Sequence, residues 1–460
     1  MGDTGLLCHP IGFGCYRVSQ GNPGHEAALR KYLARGGNLI DTSANYGDGQ
    51  SEALVGAVLR DYERSRVIVV TKGGYIQGSN MEAARQRDFP EVVRYAEGVW
   101  HCMHPTFLEN QLATSLERLG LERIDVYLLH NPEYFLMDKA RNGTVTPQEE
   151  EEYYRRIRQA FQFLESRIES GKVSWYGISS NTFGLPADDP TRTSLERCLG
   201  AARSVRADHH FRVIQLPLNL LEPGAALEKN NGGKTVLEFS QDEGFAVLSN
   251  RPLNAFAGGR MIRLADFVPP GEPRPAPDAL AGIVAPMREH EMQIARELQI
   301  GLCSGGIGVA GVLEKLVPQL ESSIHWESLA GHYVLRPLQA WLQENQERFA
   351  GDQRWQAWVE ELIDLLDDLL DAVARHLSWR DQAVSNALRS RLHAAGYPEG
   401  PESLSRMAIN VLACLPGLSC ILTGMRRAKY VNDAMGVTEL PPVDAFRILQ
   451  DFNQPKEEGV

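Results

Sequence analysis

The chain lacks several features that would assign it directly to a class of proteins. Its 460 residues contain no uninterrupted apolar run of about 18 residues, so no membrane span is predicted. The formal net charge of -12 disfavours nucleic acid or an anionic membrane as the main partner. The sequence does not open with a basic segment followed by an apolar core, so no secretory signal is expected. We therefore expect a soluble, cytoplasmic protein.

Cysteine is sparse and irregularly placed. The seven cysteines occupy positions 8, 15, 102, 198, 303, 414 and 420, with no repeating spacing. An odd, dispersed set in a long chain is typical of reduced thiols in a cytosolic protein. His101-Cys102-Met103-His104 has the composition of a metal tract, but no distant partner set accompanies it, so a metal site is not expected.

Short β-type runs alternate with longer helical patterns through the first half of the chain. Strands are predicted at 10–14, 38–41, 67–71, 126–129, 173–178, 213–217, 245–248 and 418–422. This alternation indicates parallel strands joined by right-handed crossovers. Eight is the number of strands that closes a (β/α)8 barrel, so that α/β fold is predicted.

The alternation is interrupted after strand seven, where the chain becomes helical. The predicted parts are a barrel, 1–255 plus 403–460, and an inserted all-α subdomain, 256–402. The insertion opens with a proline-rich linker at 268–277 and holds five of the seven tryptophans. From Trp355 to Val373 apolar residues recur at helical spacing, opposite an acidic face. A lid or pocket wall is one interpretation, and a stabilising or oligomer-forming appendage is the other.

Three of the apolar runs end in ionisable residues. They lead into Asp41, Lys72 and His130, and Tyr46 follows the aspartate by five residues. Carboxyl ends of parallel strands meet on one rim of a barrel, so the four side chains should gather there. A lysine ammonium beside a tyrosine stabilises the phenolate and is expected to lower the pKa of that phenol from about 10. Asp41 would hold the ammonium in place.

Tyr46 and His130 would then offer two hydrogen bonds to an oxygen on which negative charge develops. A carbonyl oxygen needs such a set when its carbon takes a hydride, and the set requires no metal. Each residue type also has an ordinary structural role, since a strand-end aspartate caps helices, a lysine is solvated, and a histidine or tyrosine packs in cores. The coincidence of all four at matching strand ends favours a shared site.

At these residues the chain resembles the aldo-keto reductase superfamily. Asp41-Thr42-Ser43, Tyr46-Gly47 and Glu52 match the strand-two signature of that family, and Lys72 and His130 match its other two catalytic positions. The resemblance covers roughly 1–255 and 403–440. It implies an eight-stranded α/β barrel and a nicotinamide cofactor, usually NADPH, bound extended without a Rossmann domain.

The resemblance also assigns residues that would contact the cofactor. After strands one, five and six these are Gly14, Cys15, Tyr16, Ser179, Ser180, Asn181 and Gln215. The first three lie where the family backbone approaches the nicotinamide, and the others lie where the family holds the carboxamide. An extra serine leaves open whether Ser180 or Asn181 takes the second carboxamide role.

Strand seven departs from the family pattern, in which an aromatic residue stacks on the nicotinamide and a serine follows. The chain reads Ser249-Asn250-Arg251-Pro252-Leu253, which places Asn250 at the stacking position. Arg251 replaces the serine near the pyrophosphate, where it would contact that anion or form a salt bridge within the insertion. Ser249 and Leu253 complete the predicted contacts of this strand.

Strand eight leads into Gly424, Arg426 and Arg427 just before a predicted helix. A glycine turn that opens a helix forms an anion site, and the loop after strand eight is the usual phosphate seat of a barrel. The arginine pair favours NADP over NAD through the ribose 2′-phosphate. Arginine pairs on surfaces are commonly just solvated, so this inference depends on position rather than on charge.

The sequence therefore predicts an NADP(H)-dependent oxidoreductase that interconverts a small-molecule carbonyl (an aldehyde, a ketone or a sugar) and an alcohol. The alternative is a regulatory or interaction protein that keeps the barrel and the cofactor but acts through its helical insertion. Asn250 and the tryptophan-rich segment motivate that alternative. A cofactor-free barrel hydrolase is disfavoured because the sequence presents no carboxylate pair or metal set.

Overall fold

Eight strands are hydrogen-bonded side by side into a closed parallel barrel, in a computed structural model that describes residues 1–269, 271–274, 279–320 and 322–454. They are β1 (Ile11–Gly14), β2 (Leu39–Asp41), β3 (Ile68–Gly73), β4 (Ile124–His130), β5 (Val173–Ser179), β6 (Phe211–Pro217), β7 (Ala246–Asn250) and β8 (Cys420–Gly424). Each strand pairs with its neighbours in sequence, and β8 pairs with β1. The predicted (β/α)8 barrel is confirmed, with strand ends that differ by up to two residues from those predicted.

The register of the barrel aligns the strand ends that carry polar side chains. Asp41 pairs with Gly14 on β1, and Lys72 pairs with Leu128 on β4. His130 pairs with Ser179, which in turn pairs with Gln215. The chain therefore brings these groups to one edge, which we call the carboxyl rim, formed by the last residues of β1 to β8.

Helices follow the barrel strands and end at recognisable signals. Those of the barrel are Pro23–Ala34, Gln50–Leu59, Pro105–Leu119, Tyr134–Asn142, Pro147–Glu169, Leu195–Val205, Gly224–Leu227, Val236–Asp242, Leu404–Ala413, Ala428–Met435 and Ala445–Asn453, and Ser79–Gln86 follows β3. Thr146 and Glu149 form a reciprocal capping box at the start of the longest of these helices. Gly120 ends the helix Pro105–Leu119 with a φ of 64°, a conformation that favours glycine.

Apolar side chains fill the barrel interior. The buried set comprises Leu39, Ile68, Val70, Val126, Leu128, Val213, Ala246, Leu248, Cys420 and Leu422. These are alternate, inward-facing residues of the strands, as expected for a packed barrel. Met1, Leu6 and Cys8 pack against the same cluster, so the amino-terminal segment covers part of it.

Two small antiparallel sheets extend the carboxyl rim. Tyr75–Ile76, Val93–Ala96 and Val99–His101 form a three-stranded sheet after β3, and Asn254–Ala257 pairs with Arg260–Arg263 in a hairpin after β7. Both sheets begin within four residues of a barrel strand's end. The loops after β3 and β7 are therefore ordered structures that frame the rim.

The chain divides into two compact units, residues 1–264 with 391–460 and residues 265–390. Between β7 and the barrel helix Leu404–Ala413, the described α-helices are Ala279–Leu298, Cys303–Gly306, Gly308–Leu316, Ser323–Leu329, Arg336–Phe349 and Gln353–Ala394. Of the predicted proline-rich linker, residues 270 and 275–277 lie outside the described residues. No helix in the described parts of the chain is long and apolar enough to cross a membrane.

The second unit, residues 265–390, has a hydrophobic core of its own. Trp355 is fully buried at its centre and packs against Trp341, Trp358 and Phe349, with ring centroids 5.6 Å away in each case. His290 stacks on Trp358 with nearly parallel rings 4.9 Å apart. The acidic face of the long helix, from Glu360 to Asp371, is exposed. The amphipathic pattern predicted for 355–373 thus describes one face of a longer helix.

Candidate active site

Lys72 lies at the centre of the carboxyl rim and is fully buried. Its Nζ donates hydrogen bonds to Asp41 Oδ2 at 2.8 Å, to the carbonyl oxygen of Thr42 at 2.9 Å and to the Tyr46 hydroxyl at 3.2 Å. A lysine ammonium has three donors, and all three are used here. The ammonium is therefore fixed between a carboxylate and a phenol.

The protonation states of Asp41 and Lys72 depend on their burial and on the attraction between their charges. Burial raises the pKa of Asp41, against the lowering influence of Lys72 and of Gln215. Burial acts to lower the pKa of Lys72, but the attraction of Asp41 and Tyr46 outweighs it and raises that pKa. Such mutual support is what keeps a buried ion pair charged.

The pKa of Tyr46 moves in the direction opposite to the one expected from the sequence. Burial raises it from 10.0 to about 12, although the Lys72 ammonium pulls it down. The prediction that the pKa of Tyr46 is lowered is therefore wrong. Removal of the phenolate from water destabilises it more than the Lys72 ammonium stabilises it. The phenol carries its proton at neutral pH.

A tight turn after β2 holds Tyr46 over Lys72. Gly47 and Asp48 both adopt left-handed backbone conformations, with φ of 56° and 54°. Asp48 accepts hydrogen bonds from the backbone N–H and hydroxyl of Ser79, which anchors the turn to the segment after β3. Glycine serves the first of these positions because it has no Cβ to clash.

His130 completes the predicted quartet at the end of β4. Its ring lies edge-on to Tyr46 at 5.9 Å and to Tyr75 at 4.7 Å between ring centroids. Nδ1 is 3.0 Å from Ser43 Oγ, and Nε2 has no hydrogen-bond partner among the residues the structure describes. Burial lowers the pKa of this histidine well below 6.5, with further lowering by Lys72 and His101. The ring is therefore neutral.

Gln215 connects the quartet to the neighbouring strands. Its Nε2 donates to Asp41 Oδ1 at 2.7 Å, and its Oε1 accepts from Ser179 Oγ at 3.1 Å and from Asn250 Nδ2 at 3.3 Å. The structure thus brings three predicted cofactor residues into one network with Asp41. The sequence did not indicate the link between Gln215 and Asp41.

Ser180 and Asn181, the two open candidates after β5, occupy different environments. Ser180 is fully buried, and its hydroxyl joins those of Thr182 and Thr193, away from Gln215. Asn181 is exposed, and its backbone N–H donates to Glu133 Oε1 at 2.8 Å. Between the two, only the Asn181 side chain is available to a ligand at the rim.

The residues at the end of β1 also differ in how exposed their side chains are. Gly14 pairs with both Asp41 and Gly424, so its backbone lies between β2 and β8. The Cys15 thiol is buried, with its pKa raised by that burial, and only the backbone of this residue faces β2. Tyr16 is 68% exposed, and its ring meets Tyr46 edge-on at 5.2 Å.

At the end of β7, Arg251 has a protein partner. Its Nη2 forms an ion pair of 2.8 Å with Glu222 Oε1, and its guanidinium lies 4.8 Å from the Phe256 ring centroid. Glu222 follows β6, so the alternative of a salt bridge within the helical insertion is wrong. Leu253 accepts a backbone hydrogen bond from Leu264 at the base of the hairpin.

At the end of β8, Gly424 has no neighbour that would obstruct a side chain. Arg427 is the residue immediately before the helix Ala428–Met435, and Arg426 precedes Arg427. Neither guanidinium has an ion-pair or hydrogen-bond partner in the described part of the chain. The anion seat predicted from the sequence therefore has two unpaired cations beside it.

A family model of the aldo/keto reductase family matches residues 10–258, which is more than half of the chain. The chain belongs to the aldo/keto reductase family. This confirms the resemblance seen in the sequence. Among the solved structures, glycerol dehydrogenase from Gluconobacter oxydans superposes with a TM-score of 0.50 at 16% identity, covering 98% of this chain and 95% of that one. At that identity the similarity supports the barrel fold alone.

Curated relatives of this aldo/keto reductase match over shorter segments. NADH-specific methylglyoxal reductase from Escherichia coli is 28% identical over 142 residues, 28% of this chain and 40% of the relative. D-threo-aldose 1-dehydrogenase from Pseudomonas sp is 29% identical over 237 residues, 49% and 62% of the two chains. L-galactose dehydrogenase from Arabidopsis thaliana is 29% identical over 196 residues, which are 41% of this chain and 48% of the relative. The matches span about half the length of these relatives.

The residues present at the rim fit the nicotinamide cofactor expected for an aldo/keto reductase. Buried polar atoms without a protein partner cluster at the ends of β7 and β8, namely Ser249 Oγ, Asn250 Oδ1, Arg251 Nε and Thr423 Oγ1. Buried polar groups are normally hydrogen-bonded, so such a cluster indicates a polar ligand. Thr423 is an addition to the set predicted from the sequence.

Ser43, Asn45 and Glu133 were given no individual role from the sequence, although they lie at the same site. Ser43 and Asn45 lie inside the strand-two motif, and Ser43 contacts the ring of His130. Tyr75 packs on the same ring, and Glu133 is a fully buried carboxyl whose pKa burial raises to about 7. Their positions within five residues of motif residues were the only signal available, since their roles depend on tertiary contacts.

Proposed function

We propose that this aldo/keto reductase is an NADP(H)-dependent oxidoreductase that interconverts a carbonyl and an alcohol. The observation that carries the proposal is the hydrogen-bonded set of Asp41, Lys72 and Tyr46, with His130 edge-on to the same phenol. A protonated phenol held against a fixed ammonium is suited to move a proton to and from an oxygen. The site as described requires no protein nucleophile.

In this scheme each side chain has one task. A bound nicotinamide would supply or accept the hydride. The Tyr46 hydroxyl donates its proton to the substrate oxygen in reduction and recovers it in oxidation. Lys72 stabilises the phenolate left behind, and Asp41 keeps the ammonium in place. His130 provides the second contact to the substrate oxygen through Nε2.

The cofactor would be held by groups at the ends of five strands. Ser179, Asn181 and Gln215 would bind the carboxamide, and Asn250 would lie against the nicotinamide ring. The unpartnered atoms of Ser249 and Arg251 would face the rest of the cofactor, with Arg251 near the pyrophosphate. The residues after β8, Gly424, Arg426 and Arg427, would bind the ribose 2′-phosphate, which supports NADP over NAD. Gly14, Cys15 and Tyr16 would approach the nicotinamide from β1, and Leu253 would line the chain after β7.

The substrate class is proposed from the relatives. Their names describe enzymes that act on methylglyoxal, on an aldose and on galactose, so small aldehydes, ketones and sugars are the expected substrates. All seven cysteines are free, which supports a reducing, cytoplasmic location. We also infer that residues 256–402 are an insertion into the family barrel, acting as a lid or as an interaction subdomain.

The Tyr46→Phe variant tests the catalytic proposal. We expect turnover to fall by about 10²–10⁴-fold, because the proton donor is lost while the ring is kept. Cofactor affinity, measured by fluorescence titration with NADPH, should stay within about twofold of wild type, because the lost hydroxyl contacts Lys72 and is proposed to face the substrate oxygen rather than the cofactor. Tyr62→Phe, in which the lost hydroxyl only contacts the Arg30 carbonyl, is the matched control. Full activity of Tyr46→Phe would refute the assignment.

The second candidate is a cofactor-binding regulatory protein that acts through its helical unit. The polar Asn250 at the expected stacking position and the engagement of Arg251 by Glu222 favour it. A titration with NADPH and NADH followed by a panel of aldehydes, ketones and sugars separates the two. Tight NADPH binding without turnover across the panel would support the regulatory protein.

A further inference from the structure

The strand ladder between β3 and β4 ends just before the last carbonyl group of β4. Gly73 pairs with Leu129, and the chain then turns away at Gly74, where φ is 146°. The Gly74 N–H donates to Gln111 Oε1 at 3.0 Å instead of to β4. The ladder therefore does not reach the carbonyl oxygen of His130, a residue that is only 7% exposed. A buried carbonyl oxygen in this position needs another donor.

His101 supplies that donor. It ends the strand Val99–His101 of the small sheet after β3, and its Nε2 lies 2.8 Å from the His130 carbonyl oxygen. A carbonyl oxygen only accepts, so Nε2 carries the proton of this contact. Burial lowers the pKa of His101 to about 4, so the ring is neutral at pH 7 and its Nδ1 carries no hydrogen. The acceptor alone therefore defines the tautomer of His101.

Gly74 makes this contact possible. A Cβ at its position would lie 2.7 Å from His101 Nε2 and 3.0 Å from the His130 carbonyl oxygen, so a side chain there would push the two apart. The Gly74 carbonyl oxygen accepts from the backbone N–H of Cys102 at 2.8 Å, which holds the end of the strand that carries His101. Glycine also tolerates the positive φ. The loop after β3 is therefore shaped to admit a side-chain donor to β4.

The peptide group that follows His130 is held at both ends. Its carbonyl oxygen accepts from His101, and its N–H, which belongs to Asn131, donates to the Ser179 carbonyl oxygen at 2.7 Å. Asn131 has a φ of 52°, a left-handed conformation that is uncommon outside glycine. Such a conformation persists where the surrounding contacts impose it. The two hydrogen bonds therefore fix the backbone from which the His130 ring projects.

We propose that His101 is a positioning residue that fixes the His130 peptide and thereby holds the His130 ring beside Tyr46. The inference rests on the proposed function, in which His130 Nε2 contacts the substrate oxygen. His101 acts on the reaction only through His130, and a reacting group displaced by about 1 Å loses about 10²-fold in rate. The tract that begins at His101 thus provides a hydrogen-bond donor, and no cluster of three potential metal ligands occurs among the described residues.

Nitrogen NMR of the histidine rings tests the contact without any turnover. In protein labelled with 15N-histidine and free of cofactor, long-range proton–nitrogen spectra distinguish a protonated from a bare ring nitrogen. His101→Gln identifies the signals of residue 101 by their loss. Wild type should show a protonated Nε2 and a bare Nδ1 at pH 7. A bare Nε2 would overturn the proposal, whether or not the protein turns over a carbonyl.

The same spectra report the effect on His130, whose signals His130→Asn identifies. His101→Leu fills the space but donates no hydrogen bond, so the ring signals of His130 should shift. His101→Gln places an amide N–H where Nε2 was and should restore them. Unchanged His130 signals in His101→Leu would overturn the positioning role even if the proposed function failed.

Kinetics of these variants give a second readout. In His101→Leu the kcat of carbonyl reduction should fall by about 10²-fold, and His101→Gln should recover at least about tenfold of that loss. The Kd of NADPH should not change in either variant. His104→Leu, whose ring contacts Thr106 and Gln159, is the matched control and should keep wild-type kcat. Equal loss of kcat in His101→Leu and His101→Gln, or loss in neither, would refute the proposal.

Discussion

Tyr46 lies between one group that favours its phenolate and an environment that disfavours it. The Lys72 ammonium is 3.2 Å from the phenol oxygen, yet burial raises the pKa to about 12. The ammonium therefore limits the cost of ionisation and does not reverse it. For the proposed reaction, this arrangement favours a phenol that gives up its proton only when the substrate oxygen accepts it.

The pKa of Tyr46 sets the expected pH dependence of the two reaction directions. Carbonyl reduction needs the protonated phenol, which persists to well above neutral pH, so its rate should stay flat from pH 7 to pH 10. Alcohol oxidation through the phenolate should accelerate by about tenfold per pH unit over the same range. Steady-state rates in both directions, at saturating cofactor, provide the measurement.

Lys72→Met sharpens this test, since the thioether side chain removes the charge and keeps much of the length. Without the ammonium the pKa of Tyr46 should rise further, and oxidation should fall by about 10²–10⁴-fold. Lys172→Met, on an exposed lysine before β5, is the control. A flat oxidation profile in wild type would contradict the role assigned to the phenol.

Glu133 is a second buried group with a measurable effect. It is 1% exposed, and its Oε2 accepts no hydrogen bond from the residues that the structure describes. Burial raises its pKa from 4.5 to about 7. Between those two pH values the folded state keeps a proton that the unfolded state has lost, so stability falls as pH rises. In Glu133→Gln this pH-dependent loss of stability is absent. The free energy of unfolding of the variant minus that of wild type should therefore increase by on the order of 3 kcal/mol from pH 4 to pH 8.

Urea unfolding of wild type and Glu133→Gln at several pH values gives that difference directly. Glu122→Gln, on an exposed glutamate, is the matched control for the loss of one carboxylate. A difference for Glu133→Gln that stays constant with pH would mean that the carboxyl titrates near its ordinary value in the folded protein.

At the residue scale, sequence was a good guide to which groups meet and a poor guide to their energetics. Asp41, Lys72, Tyr46 and His130 could be placed together because each ends or follows a strand in a recognisable motif. The pKa of Tyr46 could not be predicted, because burial depends on side chains from the whole rim. Ser43 and Glu133 act through contacts with His130 and Asn181, which no local pattern encodes.

At the element scale, the turn after β8 carries the proposed choice of cofactor. Arg426 and Arg427 come just before the helix Ala428–Met435, without an ion-pair partner among the described residues. If they hold the ribose 2′-phosphate, replacing both with alanine should weaken NADPH binding by about 10- to 100-fold, the loss expected for charged hydrogen bonds. NADH has no such phosphate, so its affinity should remain unchanged. Equilibrium titrations with both cofactors provide the measurement.

Arg60→Ala, on an exposed arginine that ends another helix, is the control for general changes in charge. Equal weakening of NADPH and NADH by the double variant would place the two arginines at the pyrophosphate or outside the site. Either result would remove the basis for an NADP preference.

Elements could be predicted from the sequence more reliably than their exact ends and side-chain partners. All eight strands were found from apolar runs, but β3 continues through Lys72 to Gly73 because ladder pairing with β4 extends it. The sequence did not identify Glu222, which reaches Arg251 from the loop after β6, as its ion-pair partner. Ion pairs between loops depend on the closed barrel and have no signature in the local sequence.

At the scale of the whole molecule, two units have separate hydrophobic cores. Trp355 is fully buried in the core of residues 265–390. Trp355→Ala should destabilise that unit by about 3–5 kcal/mol and lower its melting temperature by at least about 10 °C. The melting transition of the barrel should stay in place, because its core shares none of these residues. Differential scanning calorimetry would resolve the two transitions.

Tyr333→Ala, at a half-exposed position in the same unit, should change either transition by less than about 0.5 kcal/mol. A single transition that moves as one in Trp355→Ala would show that the two units unfold together. The predicted boundaries of the insertion, 256 and 402, would then have no thermodynamic meaning.

The pairing of β1 with β8 also dictates an order of events during synthesis. Ile11 can meet its partner Ile421 only after more than four hundred further residues have been made. Until then the backbone groups on the open sides of β1 and β7 remain without their final partners, and such edges invite wrong pairing between chains. A nascent chain of this protein is therefore exposed to such mispairing for most of its synthesis, until the last strand closes the barrel.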